Sequence, residues 1–147
     1  MSLNLIPGRY LTDIETHGYA VIENMFDETL TNALIEDCYC INPNFKSAGI
    51  GRQQDLQIDK SIRTFWFDGS SQAQIDYQNA LEDIRVNLNR YFFLGLFDYE
   101  CHYAKYQHGD FYKKHYDAFK GRSNRVFTTV FYLNTVQSGG ELVIYKP

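Results

Sequence analysis

The 147-residue sequence is short of the residues that mark several protein classes. Three cysteines are an odd count, too few for a disulfide framework, and they predict free thiols in a reducing, cytoplasmic setting. Cys38 and Cys40 fall in a predicted helix, where residues two apart do not share a face, so neither a bridge nor a zinc pair is expected there. One tryptophan, three prolines and ten scattered glycines leave no linker, repeat or low-complexity tract. The longest apolar run, Tyr91 to Phe97, is seven residues and cannot span a bilayer. The first ten residues lack the basic and apolar regions of an export leader, so no export is expected. A formal net charge of −4 argues against general binding to nucleic acid or to an anionic membrane.

What is present is apolar and aromatic. With 44% hydrophobic residues, including 12 tyrosines and 11 phenylalanines, the chain can bury one core, and its length predicts one domain over 1–147. Tyr10, Leu11 and Ile14 make an amphipathic turn that Gly18 can cap, and Tyr19 to Ile22 reads as a short strand. Asp27 offers an N-cap to a helix carrying Leu30, Ala33, Leu34, Cys38 and Ile41 at helical spacing. Residues 42–63 are polar and predict a mobile loop. Phe65-Trp66-Phe67 predicts a buried strand ended by Asp68-Gly69. Ser70 or Ser71 then caps the best helix, whose stripe Tyr77, Leu81, Ile84, Leu88, Tyr91 runs until Gly95 stops it. From Phe97 the period changes to two. Strands are expected over 97–103, 111–119, 125–134 and 141–145, with turn signals between them. Helices followed by strands predict an α+β class, residues 1–95 forming a helical support and 96–147 a β-sandwich or barrel.

Within the strand region stands Lys113-Lys114-His115-Tyr116-Asp117. Residues two apart on a strand point to one face, so His115 and Asp117 supply two corners of a two-histidine-one-carboxylate set suited to ferrous iron. Such a pair turns up by chance in roughly one chain in three of this composition, and alternating polar residues on a surface strand explain it as well. Lys113, Lys114, Lys120, Arg122 and Arg125 interleave with Tyr112, Tyr116 and Phe119, a pattern also seen in nucleic-acid binders. With an acidic chain around them, a solvated face is the better reading and nucleic acid is not an expected partner.

The ordered series Tyr106, Tyr112, His115, Asp117, Tyr132-Leu133-Asn134 and Gly139-Gly140-Glu141-Leu142 resembles the iron(II)- and 2-oxoglutarate-dependent prolyl hydroxylases, in particular the EGL-nine-like enzymes and their bacterial relatives. The resemblance spans roughly Tyr19 to the C-terminus. It implies a double-stranded β-helix (jelly-roll, cupin-like) core behind the helices, and a dioxygenase that hydroxylates a prolyl residue of a protein or peptide. It implies Fe(II) and the cosubstrate 2-oxoglutarate, with ascorbate as a further cofactor. His115 and Asp117 correspond to metal ligands. Tyr106 and Tyr132 match tyrosines near the two ends of 2-oxoglutarate, and Leu142 would pack against its carbon chain. Arg52 to Arg63 falls where the family has a loop that closes over peptide substrate.

The family pattern also needs a second metal-binding histidine downstream, and a basic residue beyond it for the far carboxylate. Thirty residues follow Asp117, none of them histidine, and Lys120, Arg122, Arg125 and Lys146 do not stand at the expected place. A jelly roll of eight strands takes roughly 80 residues, and Phe97 onward offers fewer. The jelly-roll core is therefore expected to be incomplete in this chain, its later strands missing, and the chain inactive alone. Open sheet edges would suit a homodimer or a strand-swapped assembly. The competing expectation is a non-catalytic interaction fragment or remnant of such an oxygenase.

Overall fold

A computed structural model describes residues 5–47, 62–117 and 125–146. Helix α1, Gly8–His17, starts behind Pro7 and ends on Gly18, whose φ of 82° is the left-handed turn that a side chain resists. Tyr19 to Ile22 forms no strand, contrary to expectation: no ladder pairs with it among the described residues, and Val21 is 74% exposed. Four apolar residues carry strand propensity, but a strand exists only through its neighbour. Helix α2, Glu28–Cys40, opens on Asp27, whose carboxylate accepts from the Leu30 N–H at 2.8 Å. Its buried anchor is Leu34.

The expected loop over 42–63 is structured at its described ends. Asn42–Asn44 is a 3-10 turn, and β1 (Lys46–Ser47) pairs antiparallel with β2 (Arg63–Trp66), Lys46 opposite Thr64 and Ser47 opposite Arg63. The rest of that loop, 48–61, which includes Arg52, lies outside the described residues. Strand β2 overlaps the predicted strand at Phe65 and Trp66 but begins at Arg63 and is half-exposed rather than buried, with Trp66 open to solvent.

Helix α3, Gln72–Phe92, is capped by Ser71, whose hydroxyl accepts from the Gln74 N–H. Its buried face is Ala73, Ala80, Ile84 and Leu88, together with Gln74. Ile84 and Leu88 belong to the expected stripe and Tyr77 and Leu81 are half-buried, whereas Tyr91 at its end is exposed. The helix stops earlier than Gly95, at Phe93, a non-glycine residue with φ of 55°. Downstream of the turn, Asn89 both donates to and accepts from the Leu96 backbone at 2.7 Å, and Arg85 donates to the same carbonyl while paired with Glu82.

Gln74 is 0% exposed and joins three segments. Its Oε1 accepts from the Asp68 and Gly69 N–H groups at 3.1 Å, and its Nε2 donates to Asp37 Oδ2 at 3.1 Å. The Tyr103 hydroxyl donates to the same Asp37 oxygen at 2.8 Å. Phe67 packs between Tyr103 and Tyr77, with ring centroids 4.6 and 6.1 Å away. Burial pushes the Tyr77 phenol up to about 12 and the Cys101 thiol up to about 11, and it raises Tyr103 too, helped by the Asp37 carboxylate that its hydroxyl faces.

Of the four strands expected after Phe97, one forms as an element among the described residues: β3, His102–Lys105, third in a sheet ordered β1-β2-β3. Tyr112 makes an isolated bridge, and 125–134 and 141–145 carry no ladder. Alternation of apolar residues marks a chain that can be a strand. The ladder needs a partner in register, and among the described residues Val130, Leu142, Val143 and Ile144 have none and stand exposed. The fold is mixed helix and small antiparallel sheet, and the jelly-roll core expected from the sequence is not formed by the described residues. By contact density the chain forms two units, Met1–Asn44 with Trp66–Tyr103, and Phe45–Phe65 with Ala104–Pro147. No described helix is long and apolar enough to cross a membrane.

Candidate functional site

The second unit carries the residues singled out for chemistry. His115 and Asp117 are not on a strand, yet the bend at 114–117 brings them face to face: His115 Nε2 lies 3.2 Å from Asp117 Oδ1. Both side chains are partly open, at 40% and 45% exposure.

Three neighbours hold the pair, none of them predicted as supports. His115 Nδ1 lies 2.7 Å from the Lys113 carbonyl. A carbonyl only accepts, so Nδ1 is the donor there, and Nε2 is the ring nitrogen turned toward Asp117. The Tyr112 ring stacks on the imidazole at 3.8 Å and 23°, restricting its rotation. The Thr128 hydroxyl donates to Asp117 Oδ2 at 2.8 Å. A sequence signal exists for Tyr112 alone, as part of the ordered series. Neither a backbone carbonyl nor a threonine eleven residues away leaves a pattern in the sequence.

The imidazole nitrogen and the carboxylate oxygen lie 3.2 Å apart, an ion pair when the ring is protonated and two electron-pair donors when it is not. That is the separation of two neighbouring ligands on an ion with bonds of about 2.1 Å, so the donor set fits a transition metal. Among the described residues no group of three or more His, Cys, Asp and Glu could hold a metal ion. The chain thus brings two ligands together and, among the described residues, no third.

Around this pair the tyrosines gather. Tyr106 is raised from its ordinary value, first by burial and then by Tyr112, Tyr132 and Asp110 nearby; Tyr112 is raised by burial and by Asp117, with Arg125 opposing. Both stay protonated at neutral pH and can donate a hydrogen bond. The Tyr132 hydroxyl already donates to the Gly140 carbonyl at 3.0 Å, closing a shallow concavity lined by Asn134, Val136, Gly139 and Glu141. Gly140, at φ of 76°, holds a backbone conformation that side chains resist, and an added Cβ would press on the Val136 methyl at 3.3 Å. Leu142 is 62% exposed. Lys114 lies over the Tyr145 ring at 4.2 Å. Arg63 is exposed at the start of β2, and Lys120 and Arg122 lie outside the described residues.

Comparison with known proteins bears on what this arrangement is. Residues 101–147 match the 2OG-Fe(II) oxygenase superfamily. A solved prolyl-4-hydroxylase of Pseudomonas putida is similar at a TM-score of 0.69 and 30% sequence identity, covering 76% of this chain and 60% of that one. Over these residues the chain is similar to part of a 2OG-Fe(II) oxygenase, and to a prolyl-4-hydroxylase in particular. It spans about 60% of the length of that relative. No curated protein matches it. The superfamily implies Fe(II) and 2-oxoglutarate, and both fit what the second unit offers: a nitrogen and an oxygen ligand side by side, with protonated phenols near them.

Proposed function

We propose that this chain supplies the metal- and cosubstrate-binding part of an iron(II)- and 2-oxoglutarate-dependent dioxygenase that hydroxylates a prolyl residue of a protein or peptide. The observation that carries it is the pairing of His115 Nε2 with Asp117 Oδ1 at 3.2 Å while the Lys113 carbonyl accepts from Nδ1 on the far side of the ring. When bound, iron(II) with 2-oxoglutarate supplies the activation of dioxygen that hydroxylation of an unactivated carbon needs.

The chain's own residues do the holding. His115 and Asp117 are the metal ligands, and Tyr112 keeps the imidazole plane in place. Tyr106 donates its phenol proton to a carboxylate oxygen of the keto acid. Tyr132 serves the far carboxylate by exchanging its bond to Gly140 for one to the ligand, at little net cost because one hydrogen bond replaces another. Leu142, exposed here, offers apolar surface to the carbon chain. Arg63 and Arg52 belong to the segment proposed to meet the peptide. A cytoplasmic location agrees with the free thiols of Cys38, Cys40 and Cys101.

The test is binding of Mn(II), a redox-silent stand-in for Fe(II), to the full 147-residue chain, followed by water-proton relaxation. A weak, saturable site that His115→Ala abolishes and Asp117→Asn weakens at least about tenfold is expected. Absence of saturable binding overturns the reading. With two ligands brought together among the described residues, no conversion of 2-oxoglutarate to succinate is expected from this chain alone. Iron-dependent succinate that His115→Ala abolishes would refute that limit and bring a third ligand into play. A second reading, a non-catalytic interaction fragment, draws on the exposed row Val126, Val130, Leu142, Val143 and Ile144. Unaltered relaxation with Mn(II) would favour it.

A further inference from the structure

We propose that Thr128 is a positioning residue for the metal site: its hydroxyl tethers one oxygen of Asp117 so that the other is presented beside His115. This rests on the metal-site reading above. Asp117 has two oxygens with different partners, Oδ1 facing His115 Nε2 at 3.2 Å and Oδ2 accepting from Thr128 Oγ1 at 2.8 Å. A carboxylate on an exposed bend rotates about its terminal bond, and that torsion is soft. Fixing Oδ2 from outside removes the rotation and leaves Oδ1 alone toward the ring.

Threonine suits the task. Its β-branch stiffens χ1, so the hydroxyl is aimed rather than searching, and a hydroxyl donates to an ionised carboxylate in a charge-assisted bond. With Lys113 fixing the imidazole proton and Tyr112 the ring plane, both ligand groups are restrained on the side away from each other. Such outer partners typically change metal affinity by about 10–100-fold when removed. The tether also joins the 125–134 segment to the His115 bend, which explains why a polar side chain stands among Val126, Phe127 and Val130 at this position.

The experiment compares four full-length chains by Mn(II) titration: the unaltered chain, Thr128→Val, Thr128→Ser and His115→Ala. Valine keeps the shape and removes the donor, and serine keeps the donor. A site weaker by about 10–100-fold in Thr128→Val, restored to within about threefold in Thr128→Ser, is the expected result. Unchanged affinity in Thr128→Val while His115→Ala abolishes binding overturns the role of Thr128 and leaves the metal site standing. Equal loss in the valine and serine variants overturns it as well, because a packing defect would then be the cause. Binding that survives His115→Ala overturns the metal-site reading itself. Near-UV circular dichroism monitors folding, and Thr128→Ala removes the same donor should valine disturb the segment.

Discussion

Gln74→Leu removes the amide that binds the Asp68-Gly69 turn to helix α2. In the parent, Oε1 accepts from two backbone N–H groups and Nε2 donates to Asp37, with no exposure at Gln74. Leucine matches the volume but leaves both N–H groups without their acceptor and strips Asp37 of the amide donor. Each backbone loss is worth about 1 kcal/mol at this half-buried turn, and the bond to the carboxylate about 1.5–3 kcal/mol. The gain from leucine's added apolar surface offsets part of this, leaving a destabilisation of about 3 kcal/mol. Domains of this size hold about 5–15 kcal/mol in all. Urea unfolding followed by Trp66 fluorescence should show the midpoint falling by about 1–2 M for a slope near roughly 2 kcal/mol per M. Gln74→Glu separates the contributions. It keeps the acceptor for both N–H groups but sets a carboxylate against Asp37. The introduced carboxyl is then raised in the folded state, so stability is present below the unfolded value of about 4.3 and lost as pH rises through the folded value. The Gln74→Glu variant should therefore sit nearer the parent at about pH 4 than at pH 7. A leucine variant within about 0.5 kcal/mol of the parent, or a glutamate variant indifferent to pH, would refute the network as the tie.

Two further outcomes concern the same unit. Phe93 holds φ of 55° with its ring 88% exposed, so Phe93→Gly relieves left-handed strain at no packing cost and should raise stability by up to about 1 kcal/mol, read as a higher thermal midpoint; a lower midpoint would mean the ring has a partner. Tyr77 titrates at about 12 in the folded chain against about 10 unfolded, so its contribution is whole below pH 10 and is lost as pH climbs through 12, about 2–3 kcal/mol in total. Tyr77→Phe should flatten the fall in stability over that window, measured by denaturant midpoints at stepped pH, and an unaltered slope would sink the assignment.

Local chemistry in this chain is readable from the sequence. Gly18, Asp27 and Ser71 each cap the helix end that their position predicts, because a cap is settled by one side chain and the three backbone groups beside it. The end of α3 is less so: glycine at 95 looks like the stop, whereas Asn89 and Arg85 gather Leu96 and force the turn two residues earlier, onto Phe93. Strands are harder still. Tyr19 to Ile22 and 125–134 have the composition of strands, but pairing is a property of two segments and no single segment announces it. At the site, the spacing of His115 and Asp117 points to neighbours on a strand; the structure makes them neighbours on a bend, by way of Lys113 and Thr128, which periodicity cannot register.

The proton on the imidazole of His115 is dictated by a main-chain oxygen, and every amino acid owns one. Exchanging the lysine at 113 for any residue that follows the same path leaves that oxygen where it was, so a scan of side chains would pass over the group silently. Only a change in the course of the backbone, such as a proline at 114 or an insertion in the bend, would turn the ring's free nitrogen edge elsewhere. The electronic state of the site is thus inherited as a contour of the chain, free to persist while the letters at that position drift.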